Sequence, residues 1–224
     1  MDADFCYNLM NLIKGRRSVR LFNGQKIDKK DILSIIEAGV WAPTGCNNQE
    51  LKFVILDKEE ALNEVLQFKP FFRGVSTVVL IFCDMSLPMS YEMYCVNRKE
   101  KHLPDIDTGL AMANMVLYAK AKGVDSCVFN LSEYHFRRGE KKGLIKRLIN
   151  RMKSVLNLQM LLENNFEFYL RNHLKIPKHL KIMCGIAFGF AAKYPNIETA
   201  KHGGNKIMRA EVGSYIHEIT AAAE

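Results

Sequence analysis

The sequence predicts one domain of mixed class, α/β or α+β. Three observations carry that prediction. The 224 residues lie near the top of what a single domain holds and can bury a real core. Hydrophobic residues make up 48% and charged residues 25%, an ordinary globular balance that excludes collagen-like, low-complexity and wholly disordered chains. Short β-branched apolar runs interleave with stretches of helical periodicity, and no solenoid repeat is visible.

The elements follow in order. Residues 4–14 read as a helix with Phe5, Leu9, Leu12 and Ile13 on one face. GRRSVRLF, residues 15–22, reads as an extended basic segment. Asp28 is the N-cap candidate of a helix over 28–42; Ile32, Ile35, Ile36 and Val40 recur at its spacing, Trp41 reads as packing, and Pro43 stops it. PTGCNNQE, residues 43–50, is a loop of turn formers. A strand over 52–57, a helix over 59–68 and a buried strand over 76–84 come next, and 85–104 read as irregular. A helix over 107–123 is apolar on most faces, as a core helix is, with Gly123 as its C-cap; Asp105 and Asp107 read as N-cap residues rather than a carboxylate pair. Strands over 126–131 and 180–191 precede a tail with Gly203, Gly204, Lys206 and Arg209.

The six cysteines form no C-x-x-C pair, and the six histidines show no metal-ligand spacing, so no metal site is expected. Free thiols in a reducing cytoplasm are the expectation for a domain this size. The acidic N-terminus lacks a cleavable apolar stretch, and runs such as residues 78–82 are too short to span a bilayer. The formal charge is +8, which suggests an anionic partner: nucleic acid, membrane or a phosphorylated small molecule.

Two constellations carry chemistry. In an extended Arg16-Arg17-Ser18-Val19-Arg20, alternation puts Arg16, Ser18 and Arg20 on one side, and guanidinium forks suit phosphate oxygens. Alone, such a segment reads more simply as a solvated basic turn. Ala42 to Gln49 places small residues, a hydroxyl and carboxamides directly before a strand, where backbone N–H groups can approach a flat polar ligand. Alone, it is equally a plain helix-to-strand turn.

Together, about 25 residues apart, RRSVRLF and APTGCNNQ before an FVIL strand resemble the nitroreductase family of flavin mononucleotide enzymes. DTGLAMANMVLYAKAKG (107–123) is similar to that family's central helix, and IMCGIAFGFAAKYP (182–195) to its last core strand. The resemblance implies an α+β nitroreductase-like fold: a central, mostly antiparallel sheet flanked by helices, in an intertwined homodimer. It also implies a single FMN-binding domain over 1–224 and FMN sites at the subunit interface. NADH or NADPH would be the electron donor, and a nitro, quinone or other electron-poor small molecule the acceptor.

By that resemblance Arg16 binds the flavin phosphate, with Arg17 beside it, and Ser18 contacts the phosphate or ribityl chain. Arg20 is the fixed cation near N1 and O2 of the ring, an electrostatic role; no acid–base residue is assigned. Pro43, Thr44 and the Gly45 backbone match the loop that reaches the flavin from the partner subunit, and Asn47 and Gln49 the positions that brace it. Phe129, Asn130 and Leu131 match the segment whose backbone N–H meets flavin N5, and Lys206 or Arg209 the tail cation on the phosphate. Two departures stand out. Glu50 follows the loop where the family commonly has Pro, and Phe129-Asn130-Leu131 replaces a Gly-containing segment. Lys69 and Arg73 read as solvated surface.

The charge excess is local. Residues 137–181 carry twelve Lys and Arg against three Glu, a net +9, which leaves the rest of the chain at −1. Within this basic helical insertion, at about 135–178, Leu144, Ile145, Leu148, Ile149, Met152 and Val155 recur at helical spacing opposite the cations. It reads as a helix packed on its own domain or dimer, as a lid that attracts an anionic substrate, or, less favoured, as a membrane-surface helix. Nucleic acid is not an expected partner, because aromatics are not interleaved with the cations. Two rival functions remain: a flavin dehydrogenase or reductase for a biosynthetic intermediate recognised by the insertion, and a non-catalytic flavin-binding member that docks on a partner or membrane.

Overall fold

Four apolar runs pair into one antiparallel sheet. These are β1 (Leu51–Leu56), β2 (Thr77–Asp84), β3 (Asp125–Asn130) and β4 (Leu180–Gly189), in the spatial order β1-β2-β4-β3. The computed structural model describes residues 3–87, 103–130, 166–195, 201–202 and 205–206, which belong to two compact units, Met1–Lys193 and Tyr194–Glu224. The sheet and all helices named below lie in the first unit. The class is α+β, as the family resemblance implies.

Strand β2 is buried at every position, and its alternation feeds two cores. Val78, Leu80 and Phe82 point to one face with Phe22, Phe72, Phe129 and the helix α3 (Glu59–Phe68). Val79 and Ile81 point to the other, with Ile32 and Ile35 of α2 (Lys29–Val40) and Met115 and Val116 of α4 (Leu103–Ala121). Helices α2 and α4 cross closely, because Gly39 lets the Met115 side chain in: a Cβ there would lie 2.8 Å from it.

Asp28 caps α2 as expected, its carboxylate accepting from Lys30 N at 2.8 Å. The helix ends at Val40, before Pro43 is reached, and Trp41 is 80% exposed rather than packed. Helix α4 begins at Leu103, not Asp107. Pro104 suits a first helical turn, where its missing N–H costs nothing, and this puts Asp107 one turn inside. Gly123 at φ +74° ends the helix, with Val124 N donating to Ala119 O at 2.9 Å.

Helix α1 (Ala3–Gly15) leaves Phe5, Tyr7, Leu9, Met10 and Ile13 exposed within the chain. Most of the basic insertion lies outside the described residues. Its end is described as α5 (Phe166–Asn172), whose Arg171 donates to the carbonyls of Ile176, Pro177 and Leu180 and so ties the helix to the entry of β4. One of the twelve cations thus has a structural post. In the second unit, β5 (Lys201–His202) pairs with β6 (Asn205–Lys206) as a small hairpin. Among the described residues no helix is long and apolar enough to cross a membrane, and no cluster of metal-ligating side chains occurs.

Candidate flavin-site elements at two corners of the sheet

The basic segment is extended, as alternation requires. Val19 N donates to Ser126 O at 3.0 Å, and Ser18 bridges Ser126 in parallel at the start of β3. Further on, Phe22 N bonds Arg73 O, Asn23 N bonds Phe190 O, and Ala192 N bonds Leu21 O. Val19 is fully buried, which turns its neighbours outward: Arg20 is exposed, and Arg16 and Ser18 are half-buried. Arg16 and Arg20 both act on the Cys127 thiol of β3. Burial pushes that thiol up, and the two guanidiniums pull it back down. The two cations therefore flank one strand position. Arg17 is engaged differently, donating to Lys14 O and Arg16 O at 2.5 and 2.8 Å, where it satisfies carbonyls at the end of α1.

Strand β3 is an edge strand. Because Ser126 O faces the basic segment, antiparallel alternation sends the backbone groups of Ser126, Val128 and Asn130 outward and those of Cys127 and Phe129 into the β4 ladder. Of the trio matched to the flavin N5 donor, Asn130 presents its N–H to the open edge, Phe129 spends its own on the ladder, and Leu131 lies outside the described residues. The Phe129 ring is buried, 5.0 Å from Phe72, and lies over Gly185, where a Cβ would come within 2.4 Å of it.

Lys69 sits on this ring, its Nζ 5.9 Å from the centroid. It is 8% exposed, and burial lowers its pKa. The reading of Lys69 as solvated surface is thereby overturned, whereas Arg73 is exposed as expected. The signal was available: Lys69 stands inside F-K-P-F-F, and Phe68 and Phe72 are core residues, so its stem has apolar surface to follow.

The loop before β1 is strained. Cys46, Asn47 and Gln49 adopt φ of 52°, 55° and 53°, the left-handed region that costs a non-glycine residue on the order of 1 kcal/mol each. Its own bonds over-determine it. Asn47 N donates to Thr44 O at 3.0 Å, Asn48 N to Gly45 O at 3.1 Å, Gln49 N to Thr44 Oγ1 at 3.1 Å, and Gln49 Nε2 to Asn47 O at 3.5 Å. Thr44, Asn47 and Gln49 therefore all take part in the bracing, and Pro43, Cys46, Asn47 and Gln49 are exposed.

A fifth anchor comes from outside the loop: Gly45 N donates to Asp107 Oδ2 at 3.0 Å. Asp107 is therefore not an N-cap. It lies instead beside Glu50, and both are buried, 4% and 1% exposed. Burial, then Asp107, push the Glu50 pKa up, against its own backbone and Asn48. The sequence reading did not pair these two carboxyls. The available signal was an acid standing immediately before an apolar strand.

The basic segment and the loop do not meet in one protomer. The segment lies where β3 begins, opposite Phe188 of β4; the loop feeds β1, whose Leu51 is opposite Cys83, at the other end of β2 and on the other edge of the sheet. Two strands separate them. Lys206 lies in the β5–β6 hairpin of the second unit, opposite Lys201, and Arg209 lies outside the described residues.

The architecture is that of nitroreductase-like proteins. Over 97% of this chain it superposes on 79% of the NADPH:FMN oxidoreductase of Vibrio harveyi, solved with NAD+, at a TM-score of 0.61 and 16% identity. Residues 13–75, which span the basic segment and the loop, match the model of the Nitroreductase family. A Bacillus subtilis protein named as an NAD(P)H nitroreductase, YdgI, is 30% identical over 84 residues, 35% of this chain and 40% of that protein. An Archaeoglobus fulgidus protein named as an NADH dehydrogenase/NAD(P)H nitroreductase is 26% identical over 121 residues, 52% of this chain and 64% of its own length. The chain thus spans less than two thirds of either relative. Its fold and its residues 13–75 are thus similar to those of nitroreductase-family proteins.

Proposed function

We propose that the chain is an FMN-dependent oxidoreductase that takes electrons from NADH or NADPH and passes them to a nitro, quinone or other electron-poor small molecule. One observation carries the reading: the Arg16/Ser18/Arg20 face and the strained loop, the two parts of the site, sit at opposite corners of one sheet. Such a site closes only when two copies meet, so the active form is a homodimer with its flavins at the interface. The exposed apolar face of α1 supports this, since unpartnered apolar patches of this kind mark interfaces. The single domain over 1–224, with the basic helical insertion at about 135–178, is part of the same reading. So is a reducing cytoplasmic setting, which suits the free thiols at Cys83, Cys127 and Cys184.

The donor set fits the cofactor. The Arg16 guanidinium and the Ser18 hydroxyl on one side of an extended strand suit a phosphate monoester, Arg20 further along suits the ring, and the outward N–H of Asn130 suits a ring nitrogen. Bound FMN supplies hydride acceptance at N5 from a nicotinamide and electron delivery to the acceptor. Arg16 and Ser18 would hold the phosphate. Arg20 would supply a fixed positive charge for the pyrimidine end of the ring, where reduction increases negative charge. Pro43 and Thr44, with the Gly45 backbone, would cover the ring from the partner protomer, and Gln49 would keep that loop in shape. None of these side chains has to gain or lose a proton.

The test is an anaerobic titration of purified, FMN-supplemented protein with NADH and with NADPH, followed at the flavin absorbance band. Bleaching by either donor, and recovery on adding a quinone, is the expected outcome. Protein that stays colourless after FMN addition and gel filtration would sink the reading.

A further inference from the structure

We propose that Glu50 and Asp107 form a proton-sharing carboxyl pair that clamps the 43–49 loop to the first turns of α4, making both of them positioning residues for the flavin-facing surface. The clamp stands on the burial of both carboxyls, the Gly45–Asp107 bond and the Asp107–Glu50 interaction; its consequence for FMN rests on the function proposed above. Asp107 is buried, and one of its oxygens accepts from Gly45 N, inside the strained loop. Glu50 closes that loop. Its backbone carbonyl accepts from Asp84 N at 2.8 Å, which fixes it at the head of β1. Both of its carboxyl oxygens are buried without a hydrogen bond of ordinary geometry; the donors nearby, Asn48 and its own backbone, pull its pKa down less than burial pushes it up.

Two carboxylates facing each other are acceptors only, and no bond joins them until one carries a proton. An uncompensated buried charge is costly, so the pair retains one proton and becomes a hydrogen-bonded acid and base. The other groups around it do not remove the need. From β2, Cys83 is pushed up to about 11 by burial and by Glu50, and so stays neutral. Asp84 is held ionised by the Ser86 hydroxyl and N–H and adds only negative charge. Lys181 of β4 acts on Cys83, and His179, before β4, acts on Asp84. A hydrogen-bonded acid pair between Glu50 and α4 gives the three left-handed residues a rigid frame on both sides.

The sign of the pH effect follows. Glu50 is raised in the folded protein, so the clamp is intact at acid pH, below the unfolded value, and is lost as pH climbs through the folded value. The test is native-state hydrogen exchange of the amides of residues 44–49, corrected for intrinsic rates, from pH 4 to pH 9. A peptide from α2 serves as control. In the unaltered protein, loop protection should fall by up to about tenfold per pH unit above that value. Glu50→Gln, which supplies an N–H donor at every pH, should flatten the profile. Asp107→Ala should unprotect the loop at all pH values and leave α2 unchanged. Parallel profiles for the unaltered protein and Glu50→Gln, or full loop protection in Asp107→Ala, would overturn the clamp. FMN affinity, measured by fluorescence quenching on the same samples, should weaken with pH in the unaltered protein and not in Glu50→Gln. If the exchange results hold and no sample binds FMN, the clamp stands and the flavin reading falls.

Discussion

Arg16, Arg17 and Arg20 are three arginines in five residues, and only their backbone placement separates their duties. Arg17 serves the end of α1, so Arg17→Ala should leave FMN affinity within twofold and cost at most about 1 kcal/mol of stability. Arg16→Ala and Arg20→Ala should each weaken FMN binding on the order of tenfold or more, as loss of a charge-assisted bond does. Equilibrium dialysis and thermal melting separate the two effects. Gly185 carries a different constraint, because a methyl there would lie 2.4 Å from the Phe129 ring. Gly185→Ala should destabilise the protein by about 1–3 kcal/mol in denaturant titration, since the buried ring has little room to retreat. The thiols make a pH prediction. Burial pushes Cys184 up to about 12, and burial with Glu50 pushes Cys83 up to about 11, against 9.0 in the unfolded chain. The unfolded thiols ionise first, so stability should hold below pH 9 and fall as pH climbs through 11. A melting series over pH 8–11 checks it, and Cys184→Ala should make the decline shallower.

At the scale of elements, the apolar spacing in the sequence predicts every described helix and strand of the first unit except α5, which falls within the basic insertion. Strand β2 and helix α3 match within a residue because their periodicity is unbroken. The start of α4 was displaced by a turn: Asp107 is a good N-cap by type, but Pro104 suits the first turn as well, and packing against α2 decides between them. That single shift also hid the clamp, because an N-cap Asp uses its oxygens on its own helix, whereas Asp107 sends one to Gly45. Lys69 was misplaced because a cation's burial depends on rings brought in from β3, far along the chain. Helix α1 is the reverse case. Its apolar face was legible, but within the chain it meets water. In the proposed FMN-bound homodimer, the double substitution Leu9→Lys with Ile13→Lys should give a monomer in sedimentation velocity and release FMN, with the fold retained by circular dichroism.

At the scale of the whole molecule, charge and site are separate matters. The body that carries the Arg face and the loop is close to neutral, and the excess lies in 137–181. Reduction of a neutral quinone should therefore depend little on ionic strength. If the insertion attracts acceptors, KM for an anionic quinone should rise with salt while kcat stays level, because screening acts on encounter. Equal salt dependence for neutral and anionic quinones would count against the lid reading.

In the proposed homodimer, the corner-to-corner arrangement also has a genetic meaning. A protomer damaged at Arg16 and Arg20 still offers a sound loop, and one damaged at Thr44 and Gln49 still offers a sound basic face. Neither pairs productively with itself. In a mixed dimer, however, one of the two sites draws both of its halves from undamaged sequence, and the other collects both lesions. Two inactive alleles expressed together should thus restore partial activity, and one damaged allele beside a normal one should impair sites it does not encode. Inheritance of defects in this protein would follow sites rather than subunits.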